Sequence, residues 1–281
     1  MNNFSERPSI LDNPHAERVK KVAALAGRSA RFKHGKILVE GPQAVRELIR
    51  YHSSFVEDVY YSASAAHLHS ELISEAMQAC RWVHEVSDEV CEALSRDSQG
   101  ICAVARTEAI ETSLPEIQSG DTLVVIAQGR DPGNAGTIIR TADAMGARAI
   151  ISVKGSVDSS SPKVIRSSAG SVFHLPIVPA ASFDEACQTL RGMNAAILGT
   201  SGAQGAYSLT SLMSYAAWER RGWLAQTHAW VFGNEAQGMS DDEMAACDAL
   251  VMIPMSGRAE SLNVASAAAM CLFASQSVRL G

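Results

Sequence analysis

The chain has 281 residues, 47% hydrophobic and 19% charged, with 24 Lys and Arg against 30 Asp and Glu for a formal net charge of −6. That length accommodates one large or two modest domains with real cores, and the composition is that of a soluble globular protein. Several classes are disfavoured. No apolar run is long enough to cross a membrane, the N-terminal MNNFSERPSILDNPHAERV lacks the apolar centre of a signal peptide, and the six cysteines and eight histidines show no C-x-x-C or H-E-x-x-H spacing. A cytoplasmic protein with buried free thiols and no metal is expected.

Residues 1–12 read as a loose leader. Asn13-Pro14 is a helix start signal, and Val19, Val22, Ala23, Leu25 and Ala26 form an apolar stripe behind it. Between Asn13 and Lys36 seven Lys or Arg face one acid, Glu17. Arg18, Lys20, Lys21, Arg28, Arg31 and Lys33 therefore make either a basic face for a polyanion such as RNA or a solvated helix surface. KILVEGPQAVRELIRY predicts a strand (Ile37–Glu40), a Gly-Pro turn and a helix (Gln43–Tyr51). A strand at VEDVYYS, a helix over 67–81, a strand at 82–86, a helix over 88–94 and a strand in ICAVAR follow. Residues 1–106 thus read as a small α/β module, and 107–120 as a linker.

The second module, 121–281, opens on TLVVIAQ, a continuous apolar run suited to a strand buried on both faces. A helix over 134–145 stops at Gly146. A strand is expected at ARAIISV, a short Lys/Arg-bearing helix and then a strand within SSPKVIRSSAGSVFHLPIV, and further strands at AAILGT, HAWVFG and ALVMIP, with a helix over 184–193, a glycine-rich loop SGAQGAYSL, a helix after Ser240 and a long Ala-rich helix from Leu262. Short apolar strands separated by helices or long loops predict a largely parallel sheet. The spacing by itself suggests a dinucleotide-binding fold, yet neither G-x-G-x-x-G nor a Walker pattern is present, so NAD and ATP are not indicated.

Three stretches share one design, an apolar strand, a polar turn and a helix: GRDPGNAGTIIRTADAMGA (129–147), VFGNEAQGMSDDEM (231–244) and VMIPMSGRAESLNVASAAAMCLFASQ (251–276). Strands lying side by side would gather Asn134, Arg140, Glu235, Ser261 and Asn263 at one sheet edge, where open α/β sheets bind ligands. Ser261 and Asn263 stand at a helix start and Asn134 near another, positions at which Ser and Asn also serve simply as caps.

In this order, N-x-G-x-I-x-R-T, F-G-N-E-x-x-G and I-P-M-x-G-x-x-x-S-L-N-V-A resemble the three motifs of SpoU/TrmH-type RNA ribose 2′-O-methyltransferases of the SPOUT superfamily. The resemblance spans roughly residues 121–280. It implies a C-terminal SPOUT domain with a deep trefoil knot, preceded by a ribosomal-protein-like RNA-binding domain, which the basic helix and LVEGPQAV also resemble. It implies S-adenosylmethionine (AdoMet) held by Gly233, Ile253 and Leu262, with Thr200, Asn234, Pro254, Met255 and Asn263 nearby. The substrate implied is a ribose 2′-hydroxyl of structured RNA, ribosomal RNA first and transfer RNA second; a silent RNA-binding or assembly factor is the alternative.

Arg140 matches the family's essential arginine, often assigned as the base. A guanidinium does not deprotonate in proteins, so stabilising the forming alkoxide and gripping a phosphate suit it better. Its neighbours Ile138, Ile139 and Ala142 predict partial burial and hence a partner, Glu235. Ser261 and Asn263 are expected to fix the third loop beside the reacting methyl. The closing helix, with Met270, Leu272 and Phe273, is either buried within one chain or, as the family implies, part of a twofold homodimer.

Overall fold

The computed structural model describes residues 10–234 and 237–280, which form two compact units. The first runs to Ala109 and also takes in Ser160–Phe173; the second comprises Ile110–Ser159 and the chain from His174 onward.

In the first unit the expected basic helix is two helices, α1 (Glu17–Ala23) and α2 (Arg28–His34). A 3-10 turn over Ala24–Ala26 and the extended Gly27 separate them, and Gly35 closes α2 at φ 61°, a left-handed cap that glycine takes without penalty. Then come β1 (Lys36–Glu40), α3 (Pro42–His52), β2 (Val56–Ser62), α4 (Ala63–Leu68), α5 (Ser70–Ala79), β3 (Val83–Val86), α6 (Asp88–Leu94) and β4 (Ile101–Arg106). The helix read over 67–81 starts earlier because the Ser62 hydroxyl accepts from the Ala65 N–H, and it breaks at His69. The sheet order is β1-β4-β2-β3, with β4 antiparallel to β1 and β2 and β3 parallel to β2. Val19, Val22 and Leu25 pack on Leu38, Tyr60 and Val104 of its inner face. The end of the expected leader is tied in as well: the Leu11 N–H donates to the Glu85 carbonyl, and the Ser87 N–H donates to that of Leu11. Residues 1–9 lie outside the described residues.

The second unit begins with β5 (Thr122–Ile126), α7 (Pro132–Ala144) and β6 (Ala149–Val153). The chain then contributes α8 (Pro162–Ser167) to the first unit, where the Arg166 guanidinium pairs with the buried Glu40 and, at 2.9 Å, with Asp97. Ser95 donates to the other Glu40 oxygen at 2.5 Å. Burial of a carboxylate demands such partners, and no periodicity in the sequence announces this excursion.

The second unit resumes with β7 (Ile177–Ala180), α9 (Phe183–Gly192), β8 (Ala196–Thr200), β9 (Tyr207–Ser208), α10 (Leu209–Glu219), β10 (His228–Phe232), α11 (Asp241–Ala245), β11 (Ala249–Met252) and α12 (Val264–Leu280). Its seven strands run β7-β6-β5-β10-β8-β11-β9, all paired in parallel. This is the largely parallel α/β sheet the sequence predicts. The late strand β10 is inserted between β5 and β8, and every one of its residues is buried. α10 is a helix that the sequence does not signal: Leu209 and Ala216 are buried while Tyr215 and Trp218 face solvent, so no apolar stripe runs along it. No helix among the described residues is long and apolar enough to cross a membrane. The six cysteines are free, and burial pushes the thiols of Cys247 and Cys271 up to about 12.

His228, at the start of β10, joins this sheet to α12. Its Nδ1 donates to the Gln226 carbonyl at 2.8 Å, so Nε2 accepts from Ser275 Oγ at 2.7 Å; Trp230 Nε1 donates to the same hydroxyl at 2.8 Å. Burial lowers the imidazole pKa from 6.5 to about 4, outweighing the Gln226 hydrogen bond, which acts in the opposite direction. The unfolded chain therefore binds this proton more tightly than the folded one. The stability His228 contributes is complete above pH 6.5 and is lost as pH falls toward 4, on the order of 3 kcal/mol. The thermal midpoint of the protein is expected to fall more steeply over this window than that of His228→Gln. Parallel profiles would place the acid sensitivity elsewhere.

Candidate active site

The paired registers Phe232↔Ile126, Val231↔Gly199 and Val251↔Thr200 bring β5, β10, β8 and β11 to an end at nearly one level. The loops that follow them, around 127–131, 233–240, 201–206 and 253–263, therefore leave the same edge of the sheet. Direct hydrogen bonds join them.

The first is made by one amide. Asn263 Oδ1 accepts from the N–H groups of Ala265 at 2.9 Å and Ser266 at 3.3 Å, capping α12. Its Nδ2 is thereby turned outward and donates to Asn134 Oδ1 at 3.0 Å, across 129 residues of sequence. Asn134 is available for this because Asp131 Oδ1, not Asn134, caps α7, accepting from the Asn134 N–H at 2.8 Å. The first and third motif loops thus meet through their asparagines. Asn263 fulfils the cap expectation. Ser261 does not, standing fully in the exposed loop before the helix.

The second and third run through Gln128, which sequence reasoning did not single out. Its Nε2 donates to Glu243 Oε1 at 2.9 Å, and its carbonyl accepts from Asn234 Nδ2 at 3.4 Å. Glu243 is buried and also accepts from the Ser240 N–H at 2.8 Å in a capping box at the start of α11. The only sequence cue was a Gln wedged between a buried strand and a glycine. Within the sheet itself, Thr200 Oγ1 at the end of β8 donates to the Val231 carbonyl at 2.9 Å, locking β8 onto β10 just before their loops.

The second motif loop folds back on itself. Asn234 and Gly238 exchange backbone hydrogen bonds at 2.9 and 2.8 Å. A Cβ on Gly233 would lie 2.6 Å from the Gly238 carbonyl group, so this glycine is required by the loop's own closure. Among the neighbouring glycines, Gly202 and Gly257 face open space, whereas Gly199 packs against Cys247, Leu250 and Met239. In the third motif segment Ile253 and Leu262 are half-buried, and Pro254 and Met255 are exposed.

Arg140 departs from its expected environment. Ala135, Ile138, Ile139 and Ala142 form the buried stripe of α7, and Thr137, Arg140 and Ala144 line the opposite, solvent face. Arg140 is exposed, and among the described residues its guanidinium has no ion-pair or hydrogen-bond partner. Glu235, expected to orient it, lies outside the described residues. In the basic region Arg18, Lys20, Lys21, Arg28 and Lys33 are exposed, but Arg31 is buried. Its Nη1 donates to the Leu25 and Ala26 carbonyls at 3.0 and 2.7 Å, and its Nε donates to Ser160 at 3.1 Å. Arg31 therefore satisfies the 3-10 turn after α1 and is not a surface contact for RNA.

A parallel sheet whose polar loops converge at the carboxyl edge defines an α/β enzyme that takes its ligand there. Residues 121–273 match the SpoU rRNA Methylase family and residues 16–103 match the MRM3-like substrate binding domain. The chain belongs to the SpoU rRNA methylase family. It is similar to the 23S rRNA (guanosine-2′-O-)-methyltransferase RlmB of Bordetella pertussis, 30% identical over 251 residues that cover 87% of this chain and 98% of the relative. It is also similar to the 23S rRNA (guanosine(2553)-2′-O)-methyltransferase RlmP of Bacillus subtilis, at 27% identity over 94% of this chain and 97% of that one. In structure it resembles the SpoU methyltransferase AviRb from Streptomyces viridochromogenes in complex with the cofactor AdoMet, with TM-score 0.80 and 26% identity over 95% of this chain and 99% of that one.

Proposed function

We propose that this chain transfers a methyl group from AdoMet to a ribose 2′-hydroxyl of 23S rRNA, with other ribosomal RNA and then transfer RNA as less favoured substrates. The likeness to 23S rRNA 2′-O-methyltransferases over nearly the whole of both chains carries this reading. The residues fit the cofactor: half-buried Ile253 and Leu262 offer apolar faces for an adenine, and Pro254 and Met255 stand beside them. Gly233 is assigned main-chain contacts, whereas the Asn234 N–H and carbonyl close the loop on Gly238 and the Thr200 side chain is committed to the sheet.

When bound, AdoMet supplies an electrophilic methyl group. The chain's own task is to align the 2′-oxygen with it and to stabilise the charge that grows as the hydroxyl proton leaves. Arg140, exposed on α7, reaches into solvent where an RNA backbone would lie, and its fixed charge suits the developing alkoxide and a neighbouring phosphate. Glu235 is assigned to orient it. Asn134 and Asn263 hold the first and third loops in register, so that position rather than proton transfer provides much of the acceleration; Ser261 lies on that loop.

The same reading assigns residues 1–106 to RNA binding, 107–120 to a connection and 121–281 to catalysis, in the cytoplasm, although Ser160–Phe173 pack with the first unit and the chain joins the second from Ile110. It includes the knot, for which the insertion of β10 between β5 and β8 and the packing of α12 on α7 offer support. It also includes a homodimer. α12 exposes Met270 and Phe273, and α10, packed on α12, exposes Tyr215 and Trp218, apolar surface that a second copy would cover.

The test is transfer of tritium from labelled AdoMet to separate pools of unmodified ribosomal and transfer RNA. Label in the 23S pool at an alkali-resistant linkage is the expected result. Label confined to transfer RNA, or to base atoms, would overturn the assignment.

A further inference from the structure

Two adjoining cavities open on the first unit, away from the motif loops in sequence and in element. One, of about 520 Å³, is lined by Arg18, Arg81, Trp82 and His84. The other, of about 610 Å³, is lined by Lys21 and Lys33 on the α1–α2 side, and Arg18, Glu57 and Asp58 border both. They form one groove with Arg18 at its middle.

Its charge is one-sided. Asp58 is paired with Arg18 at 2.6 Å and lies 2.9 Å from His84 Nε2, which is itself 2.6 Å from Arg18 Nη2, and Glu57 is paired with Lys36 at 2.5 Å. Arg18 is held in place further by donating to the Tyr60 hydroxyl at 2.8 Å. Lys21, Lys33 and Arg81 have no carboxylate partner among the described residues. Trp82 is 52% exposed, with the Arg81 guanidinium over its ring at 5.1 Å from the centroid. Trp82 thus keeps about half of its surface in water at the edge of a cationic groove. Aromatic faces beside cations are what unpaired nucleic-acid bases stack upon, whereas an RNA duplex hides its bases from side chains.

We propose that this groove binds an unpaired stretch of the RNA substrate, one base stacking on Trp82 and the flanking phosphates resting on Lys21 and Lys33. The proposal rests on the RNA-methylating reading above. It supplies that reading with a second, separate point of attachment: the methyl-transfer edge acts on one nucleotide while the first unit selects RNA by its single-stranded character.

The test uses the full chain and two fluorescein-labelled probes, an unpaired oligoribonucleotide and the same sequence in a duplex, with anisotropy followed over a range of salt. Trp82→Ala is expected to weaken binding of the unpaired probe by about tenfold to a hundredfold, and Trp82→Phe by far less. Replacing Lys21 and Lys33 by Ala is expected to flatten the salt dependence by about 1.4 in slope, roughly 0.7 for each single-strand phosphate that a lysine no longer neutralises. Unpaired and duplex probes weakened alike by Trp82→Ala would overturn stacking. Variants that bind both probes like the parent, when the parent binds and methylates RNA, would overturn the groove and leave the RNA reading standing. A parent protein that binds neither the probes nor ribosomal RNA would overturn both.

Discussion

Replacing Arg140 by Ala is expected to slow methyl transfer by about 10²–10³-fold, the usual effect of removing one preorganised group that stabilises charge in a transition state. AdoMet affinity is expected to stay near that of the parent, since the residues assigned to the cofactor follow β8, β10 and β11 and Arg140 belongs to the helix after β5. The solvent position of Arg140 makes the experiment interpretable. Its side chain is on the exposed stripe of α7, so its loss opens no cavity and thermal stability should change within about 0.5 kcal/mol. Arg140→Lys separates charge from geometry: a lysine keeps the positive charge but not the planar fork that grips a phosphate with two parallel bonds. Partial recovery of the rate with Lys is therefore expected, together with a raised KM for RNA. Equal loss of AdoMet binding and of rate in Arg140→Ala would remove the assigned role.

Arg140 also marks a limit of what its sequence neighbourhood conveys. Ile138 and Ile139 immediately precede it in sequence, yet on a helix a position one or two steps from the buried stripe already points to water. The reverse holds at Arg31, whose charge reads as surface although the bare carbonyls of Leu25 and Ala26 pull it inside. The strands β5 and β10 were legible because burial on both faces leaves an unbroken apolar run, and the Asn263 cap because so few residue types serve there. α10 was not, since a helix with Tyr215 and Trp218 outward carries no stripe. Gln128 was invisible for another reason. Its partners Asn234 and Glu243 lie more than a hundred residues away, and only the insertion of β10 beside β5 brings them within reach. Strand order of that kind is a property of the folded chain, and local periodicity holds no trace of it.

The bridge between Asn134 and Asn263 yields the second large effect, because the two ends of the Asn263 side chain perform separable tasks. Oδ1 caps α12 and Nδ2 reaches Asn134. Ser caps a helix about as well as Asn but is too short to span to Asn134, so Asn263→Ser should retain stability while breaking the bridge. Asn263→Ala removes both and is expected to cost a further ~1 kcal/mol of stability. If the bridge sets the spacing of the first and third loops, then Asn263→Ser and Asn134→Ala should each slow methyl transfer by about a hundredfold, the penalty of misplacing reacting groups by roughly an ångström. The double variant should be no slower than either single one, since each alone already breaks the same bond. Measured kcat values that multiply in the double variant would mean that the asparagines act on the substrate independently, and a full rate in Asn263→Ser would reduce Asn263 to a helix cap. Stability and rate must therefore be read on the same proteins: a fall in rate that tracks thermal stability would implicate the cap, and one that leaves stability untouched would implicate the bridge.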